Sequence, residues 1–249
     1  MREGERVRVS NYRIRFDAEH PEQSNAMARI RIPIFPLNTV LFPKMPLPLH
    51  VFEERYRRLI EHCVAQKERF GVVLVRDPEE RGTEVARVGT MASIQAVQKL
   101  EGGRYNVLAV GAERFALLAR DTSPEGYDVA LVETLDDTPA DPQYLTSLVE
   151  ETRRLFGTFF DMLVRRSGIT TLEYELPDDP TELSFVVAAV LQMPVERRQK
   201  LLETTNTPER LQEEIAWLQR AVKHLEEAPR GLIARPLDLA KARDEVSRN

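Results

Sequence analysis

Histidine and cysteine, the side chains that most often bind metal ions or act as nucleophiles, are few and scattered in this 249-residue chain. They are His20, His50, His62, Cys63 and His224. His62 and Cys63 are neighbours on a predicted helix, where consecutive side chains point about 100 degrees apart and do not form a ligand pair. We expect Cys63 in the core and His50 in a packing or capping role. The pattern therefore predicts no metal site.

The serines and glycines lack the spacing that hydrolysis or nucleotide binding requires. Ser93, Ser147 and Ser184 lie in apolar or helical contexts, and none is in the glycine-flanked elbow that exposes a nucleophilic serine. The sequence contains no glycine-rich phosphate loop ending in Lys-Ser or Lys-Thr, and Gly102-Gly103 is typical of a hairpin turn. We therefore expect no catalytic residue, no cofactor, and neither ATPase nor peptidase activity.

Three pairs of adjacent carboxylates have the residue types of a general acid and base. They are Glu53-Glu54, Asp136-Asp137 and Asp178-Asp179. The first pair lies in the first turn of a predicted helix, where negative charge complements the helix dipole. The second lies in a predicted loop, and the third caps a predicted helix. Structural roles explain all three pairs, so the prediction of a non-enzyme stands.

Composition and charge narrow the class of protein further. Charged residues make up 30% of the chain and hydrophobic residues 42%, which is ordinary for a soluble globular protein. The net charge of −5 gives no general attraction to nucleic acid. No apolar run approaches the length of a membrane span, and the amino terminus does not resemble a signal peptide. The single cysteine allows no internal disulfide, which fits a reducing compartment, so we expect a cytoplasmic protein. From the charge and the lack of a long apolar run, we also expect that it binds neither nucleic acid nor membrane.

The elements that would position a functional site fall into two halves with different hydrophobic periods. Residues 30–138 carry short strand-like runs separated by glycine turns, which favours a small β-rich, barrel-like lobe. Gly89, inside a long strand-like run, indicates a bulge or a bend. One helix interrupts this lobe, and its predicted apolar face consists of Phe52, Tyr56, Leu59, Ile60, Cys63 and Val64.

The second half, residues 139–227, has the 3.6-residue period of helices and predicts a helical bundle lobe. Four helices are expected, at 142–167, 180–193, 195–204 and 208–227. Three of them share a start signal, a capping residue directly before a proline, at Asp141, Asp179 and Thr207. Strands followed by helices indicate an α+β fold, with lobes that pack together without sharing a sheet. We interpret residues 1–29 as an extension that need not be ordered and 228–249 as a carboxyl-terminal tail.

The segment 32–56 is the most distinctive part of the sequence. Five prolines interrupt an apolar run there, namely Pro33, Pro36, Pro43, Pro46 and Pro48. Because proline cannot donate to a sheet ladder, the segment must form short extended pieces with fixed bends. The apolar side chains of Phe42, Met45 and Leu47 either plug the end of the β lobe or form an exposed surface on a rigid loop. We name these three as candidate protein-binding residues.

Several short motifs follow one another in order along both lobes. In the first lobe they are residues 32–37, 41–43 and 47–56, Val88-Gly89-Thr90, Val110-Gly111 and Arg114-Phe115. In the second they are Glu175-Leu176-Pro177, Asp179-Pro180, Leu201-Leu202-Glu203 and Arg210-Leu211. Their order and spacing resemble the Lon protease amino-terminal domain, the substrate-binding domain of an ATP-dependent protease. The resemblance covers about residues 30 to 227 and is to the stand-alone bacterial Lon-domain proteins in particular.

The resemblance implies a domain that binds proteins rather than one that performs chemistry, and it offers no catalytic residues to transfer. The expected function is ATP-independent recognition of exposed apolar segments in unfolded or degron-bearing proteins, either alone or as an adaptor for a separate ATP-dependent protease. The alternative is a small-molecule sensor or regulatory domain that uses the cleft between the lobes. An exposed apolar patch would favour the binding module, and an enclosed pocket with converging polar groups would favour the sensor.

Overall fold

The computed structural model describes residues 29–76, 84–166 and 174–227. The predicted extension, apart from Arg29, and the whole predicted tail lie outside these residues. Six strands form one mixed sheet: β1 (Ile30–Leu37), β2 (Pro46–Val51), β3 (Phe70–Leu74), β4 (Val88–Lys99), β5 (Tyr105–Thr122) and β6 (Asp128–Thr134). The order is β2-β5-β4-β3-β1-β6, and β5 also pairs with β6.

The length of β5 closes this sheet into a barrel. Residues 105–110 of β5 pair with β2, whereas residues 115–122 pair with β6. Strands β1, β3, β4, β5 and β6 therefore form a ring, and β2 extends from one side of β5. The prediction of a barrel-like lobe is confirmed. The predicted irregularity near Gly89 is also present, as a register shift between Thr90 and Ala92.

Two glycines permit the backbone crossings that this ring requires. A Cβ atom on Gly89 would collide with the carbonyl oxygen of Val72 on β3. A Cβ atom on Gly111 would collide with the carbonyl oxygen of Phe42. A larger residue at Gly89 would push β4 away from β3, and one at Gly111 would push β5 away from the loop that contains Phe42, so glycine is needed for close approach rather than for an unusual dihedral angle.

Helix α1 (Glu54–Gln66) is the one helix predicted inside the β lobe, and it packs over the barrel core. Leu59, Ile60 and Cys63 are buried there together with residues of β1 and β3. The predicted stripe is too wide at both ends. Phe52 precedes the helix and is 37% exposed, and Val64 is 49% exposed.

The helical lobe consists of α2 (Pro142–Arg166), α3 (Pro180–Val190), α4 (Val195–Glu203) and α5 (Thr207–Glu227). The side chains of Asp141 and Asp179 accept backbone N–H bonds at the starts of α2 and α3, as predicted. The predicted cap at Thr207 is wrong. Asn206 accepts from the Glu209 N–H at 3.0 Å, which leaves the Thr207 hydroxyl to bond Arg210 at 2.9 Å.

The six strands all end by Thr134 and the four helices follow, so the predicted α+β class is confirmed. A shared apolar cluster joins the two lobes. From the β lobe it contains Val40, Phe42, Leu74 and Ala86, and from the helical lobe Phe185, Ala188, Ala189, Leu201 and Leu202. No helix within the described residues is both long and apolar enough to cross a membrane.

A buried polar network also crosses the junction between the lobes. Arg114 on β5 donates to Asp137 at 2.9 Å and to the carbonyl oxygens of Leu202 and Thr204 at 2.7 and 2.9 Å. Arg210 on α5 donates to the other carboxylate oxygen of Asp137. Burial lowers the pKa of Arg114 to about 10, and the charge of Asp137 opposes this shift. One linker carboxylate thus binds a cation from each lobe.

Candidate protein-binding surface

Phe42, the first predicted contact residue, is fully buried at the junction between the lobes. Its ring lies 6.3 Å from the ring of Phe185 on α3, and the guanidinium of Arg198 lies 5.5 Å from its centroid. This side chain is therefore buried, but it lies beneath the helical lobe rather than as a plug at the end of the β lobe. Phe42 does not offer an accessible apolar surface.

Leu47 and Met45 have different surroundings within the same segment. Leu47 is 7% exposed and belongs to the barrel core. Met45 is partly buried and packs against both the barrel core and the shared cluster at the junction. Between them and Phe42, Lys44 adopts a left-handed φ of 65° and pairs with Glu182 on α3 at 3.2 Å. Of the two alternatives that the sequence left open, exposure therefore does not apply to Phe42 and Leu47: the segment joins the two lobes, because both cores contain its side chains.

An exposed apolar surface lies immediately beside this joint, on the outer face of strands β2, β5 and β4. Leu108 is 42% exposed, and it pairs across the sheet with Pro48 on one side and Ala96 on the other. Val97, next to Ala96, is 38% exposed, but it pairs with the buried Val107 and therefore points to the opposite face of the sheet. We call Pro48, Ala96 and Leu108 the outer-face patch. They border a shallow recess of about 310 Å³.

The recess carries no charge of its own. The polar side chains that line it are the amides of Gln98 and Asn106, and none of its described lining residues has an ionisable side chain. The Asn106 amide oxygen is 2.8 Å from Nδ1 of His50, so the two side chains are hydrogen-bonded between the paired strands β2 and β5. An uncharged, mainly apolar surface of this kind accepts apolar side chains and hydrogen-bonds amides or carbonyl groups.

A β-bulge explains why the sequence did not reveal the patch. Ile94 is partly buried against the barrel core, and strict alternation would place Ala96 on the same side. The register shift between Ile94 and Ala96 instead turns Ala96 outward, opposite Leu108. The sequence did contain one signal, the run Val107-Leu108-Ala109-Val110, which places apolar side chains on both faces of a strand. Because the β lobe has only one predicted helix to cover a face of its sheet, the other face of this strand had to be exposed or covered by something else.

The free edge of β2 is poorly suited to pairing with another strand. The carbonyl of Met45 accepts from the Gly111 N–H on β5 at 2.9 Å. Because backbone hydrogen-bonding groups alternate in direction along an antiparallel strand, the N–H and C=O groups of residues 47, 49 and 51 also point toward β5. Pro46 and Pro48 therefore face the free edge, where they supply no N–H donor. A partner is thus expected to contact the sheet by its face rather than to add a strand to this edge.

Contacts with α1 hold the strands of the patch in place. Nη1 of Arg57 lies 3.3 Å from the carbonyl oxygen of Gly102 and 3.4 Å from that of Gly103, at the tip of the β4–β5 hairpin. The Tyr105 hydroxyl donates to Glu61 at 2.7 Å. A partner therefore meets a surface whose shape is already set, which lowers the entropic cost of binding.

Comparison with known proteins identifies the fold that carries this surface. The model of the ATP-dependent protease La (LON) substrate-binding domain matches residues 31–220, most of the chain. The chain belongs to this Lon domain family. A crystal structure of a Lon N-terminal domain protein from Xanthomonas campestris has a TM-score of 0.55 and 24% identity, and covers 76% of this chain and 98% of that one. The N-terminal domain of the Mycobacterium avium complex Lon protease has a TM-score of 0.59 and 19% identity, with the same coverage.

The curated relatives are Lon proteases, and they are much longer than the region they share with this chain. The Lon protease of Syntrophus aciditrophicus is 29% identical over 193 residues, which cover 73% of this chain and 24% of that protease. The Lon protease of Escherichia coli K12 is 27% identical over 211 residues, or 83% of this chain and 26% of that protease. The chain thus spans about a quarter of the length of these relatives, and the shared quarter is the Lon substrate-binding domain.

Proposed function

We propose that this chain is a non-catalytic protein-binding module that recognises exposed apolar segments of client proteins through the outer-face patch. The observation that carries the proposal is the cross-strand row of half-buried Pro48 and exposed Leu108 and Ala96, which lies beside an uncharged recess. Membership of the Lon substrate-binding domain family supports protein substrates as the ligand class. The residues contribute apolar area and fixed geometry, and no chemical step is needed.

The composition of the patch favours clients that are at least locally unfolded. Folded proteins keep most large apolar side chains in the core, whereas an unfolded segment offers several in succession. The absence of ionisable groups among the described lining residues removes the desolvation cost that a charged rim would add. Burying one leucine side chain contributes about 1.5–3 kcal/mol, so a patch of this size fits weak and reversible capture.

The Leu108→Ser variant tests the proposal, and β5 offers a matched control. Leu118 lies on the same strand and is 41% exposed, close to the 42% of Leu108, but it is outside the patch. Binding of a fluorescein-labelled peptide rich in leucine and phenylalanine would be measured by anisotropy. Leu108→Ser should weaken binding about tenfold, the equivalent of about 1.4 kcal/mol, and Leu118→Ser should leave it unchanged. Equal effects of the two substitutions would refute the proposed surface.

We further propose that captured clients pass to a separate ATP-dependent protease. Degradation of a labelled unfolded client by a purified Lon-type protease should speed up when the chain is added, and the gain should disappear with Leu108→Ser. An unchanged rate with wild-type chain would remove the adaptor role and leave client binding intact. The alternative function, a sensor with a ligand between the lobes, is less well supported because Phe42, Phe185, Arg114 and Arg210 pack together in that junction.

A further inference from the structure

Glu214 on α5 is a buried carboxyl group with no hydrogen-bond partner among the residues that the structure describes. The residue is 0% exposed, and neither of its carboxylate oxygens is bonded to any described residue. Buried charges in proteins are normally paired, because removing an ion from water without a partner is very costly. Desolvation by burial raises the pKa of Glu214 well above its ordinary value, whereas the charge of Arg210 acts in the opposite direction.

The nearest cation on the same helix face is Arg210, one turn earlier, but its donors are engaged elsewhere. Its Nε lies 3.0 Å from the Ser184 hydroxyl and its Nη2 lies 2.9 Å from the Thr207 hydroxyl. Its Nη1 donates to Asp137. Arg210 is itself 0% exposed. Two carboxyl groups, Asp137 and Glu214, are therefore within the range of one buried guanidinium, and only Asp137 is bonded to it.

The described residues of the neighbouring elements do not provide another counterion for Glu214. The buried face of α2 carries the Thr152 hydroxyl, which also lacks a partner among the described residues, and α3 carries the Ser184 hydroxyl. On α4, Arg197 and Lys200 pair with Glu213, which is adjacent to Glu214 and raises its pKa further. On β5, Arg114 is bonded to Asp137.

We propose that Glu214 is a proton-dependent latch on the junction between the lobes: when protonated it leaves Arg210 bonded to Asp137, and when ionised it competes for Arg210 and loosens that bond. The step is the loss of one proton from the Glu214 carboxyl group to solvent. The resulting carboxylate lies four residues from Arg210, the spacing at which oppositely charged helix side chains meet. Of its two cations, Asp137 would then retain Arg114.

The direction of the pH effect follows from the raised pKa. The folded state binds the proton of Glu214 more tightly than the opened state does, so the latch holds fully at acidic pH and is lost as pH rises through the pKa of the folded form. As the pH rises through the pKa of Glu214 in the folded protein, opening of the junction should become up to tenfold more frequent per pH unit, because opening releases one proton.

Two NMR measurements on the wild-type protein test the latch. A ¹³C titration of the Glu214 side-chain carboxyl group should show a midpoint well above that of exposed glutamates. The Thr138 N–H donates to the Thr205 carbonyl at 2.7 Å across the junction, so its hydrogen-exchange protection reports opening. After correction for intrinsic exchange, this protection should fall with the same midpoint. An ordinary Glu214 midpoint, or protection that does not follow it, would overturn the latch.

Glu214→Gln and the neighbouring Glu213→Gln form a matched pair of variants. The glutamine is neutral at every pH, so protection of the Thr138 N–H should no longer depend on pH in Glu214→Gln. Glu213→Gln removes an adjacent charge that pairs with α4 and should keep the wild-type pH dependence. The same pH dependence in Glu214→Gln as in the wild type would contradict the proposal. The wild-type titration decides the question if Glu214→Gln does not fold.

Discussion

Nη2 of Arg114 donates to Oδ2 of Asp137 at 2.9 Å, while Oδ1 of the same carboxylate accepts from Arg210. Arg114 lies on the barrel, Arg210 lies on the last helix, and Asp137 lies in the linker between them. The linker between the lobes is therefore hydrogen-bonded to both of them through Asp137. It fixes the helical lobe against the side of the barrel that also buries Phe42.

Replacement of Asp137 should therefore destabilise the whole chain. Asp137→Ala leaves two buried guanidiniums without their carboxylate, and breaking a buried pair in this way costs about 3–5 kcal/mol. Urea unfolding would measure the loss. The neighbouring Asp136 is exposed, so Asp136→Ala is the matched control and should change stability by less than about 0.5 kcal/mol. Similar losses in both variants would show that the bond across the junction is not important.

Glycine substitutions should have opposite effects in the two lobes. Gly89→Ala should cost about 1–3 kcal/mol, since its Cβ would collide with the backbone of β3. Gly157 lies within α2, and a Cβ there would lie 3.3 Å from the Tyr174 hydroxyl. Gly157→Ala should be neutral or stabilising by up to about 1 kcal/mol, because alanine favours the helix. Thermal unfolding of both variants compares them, and a well-tolerated Gly89→Ala would contradict the close strand crossing.

The Cys63 thiol should be unreactive until the protein unfolds. Burial raises its pKa to about 12, so the thiolate that reacts with alkylating agents is scarce at pH 8. Because the folded pKa exceeds that of the unfolded chain, this residue's contribution to stability is complete below about pH 9 and is lost as pH rises toward 12. Iodoacetamide labelling followed by mass spectrometry should track unfolding, and rapid stoichiometric labelling of the native protein would disprove the buried position.

The purified chain should neither hydrolyse ATP nor cleave an unfolded protein. The sequence lacks the phosphate loop and the glycine-flanked nucleophile that these reactions require. Phosphate release and peptide-bond cleavage would be followed through successive purification steps. A turnover that remains proportional to this protein through those steps would contradict the non-catalytic function.

Local signals in the sequence were sufficient for the fold class and the helix positions. Asp141 and Asp179 before prolines predicted the starts of α2 and α3, because a cap depends only on residues within one turn. The cap of α5 was misplaced by one residue, since Asn206 and Thr207 are both capable caps. The choice between them depends on Arg210, which engages the Thr207 hydroxyl within the tertiary structure.

The candidate site was harder to predict because it depends on contacts between distant segments. Phe42 is buried by Phe185 from the other lobe, and no local pattern shows that pairing. The outer-face patch depends on a bulge between Ile94 and Ala96, which the sequence does not mark with glycine or proline. The one candidate residue on β2, Leu47, faces the core, whereas its neighbour Pro48 points to the opposite face of the sheet.

The most direct measurement of the central claim is a methyl NMR titration of the wild-type chain with the leucine- and phenylalanine-rich peptide. The methyl groups of Ala96 and Leu108 should shift in a saturable way. Those of Val64 and Leu118, which are similarly exposed but lie outside the patch, should stay in place. Saturable shifts at Val64 or Leu118 without shifts at Leu108, or no saturable shifts at all, would contradict client binding at the outer-face patch.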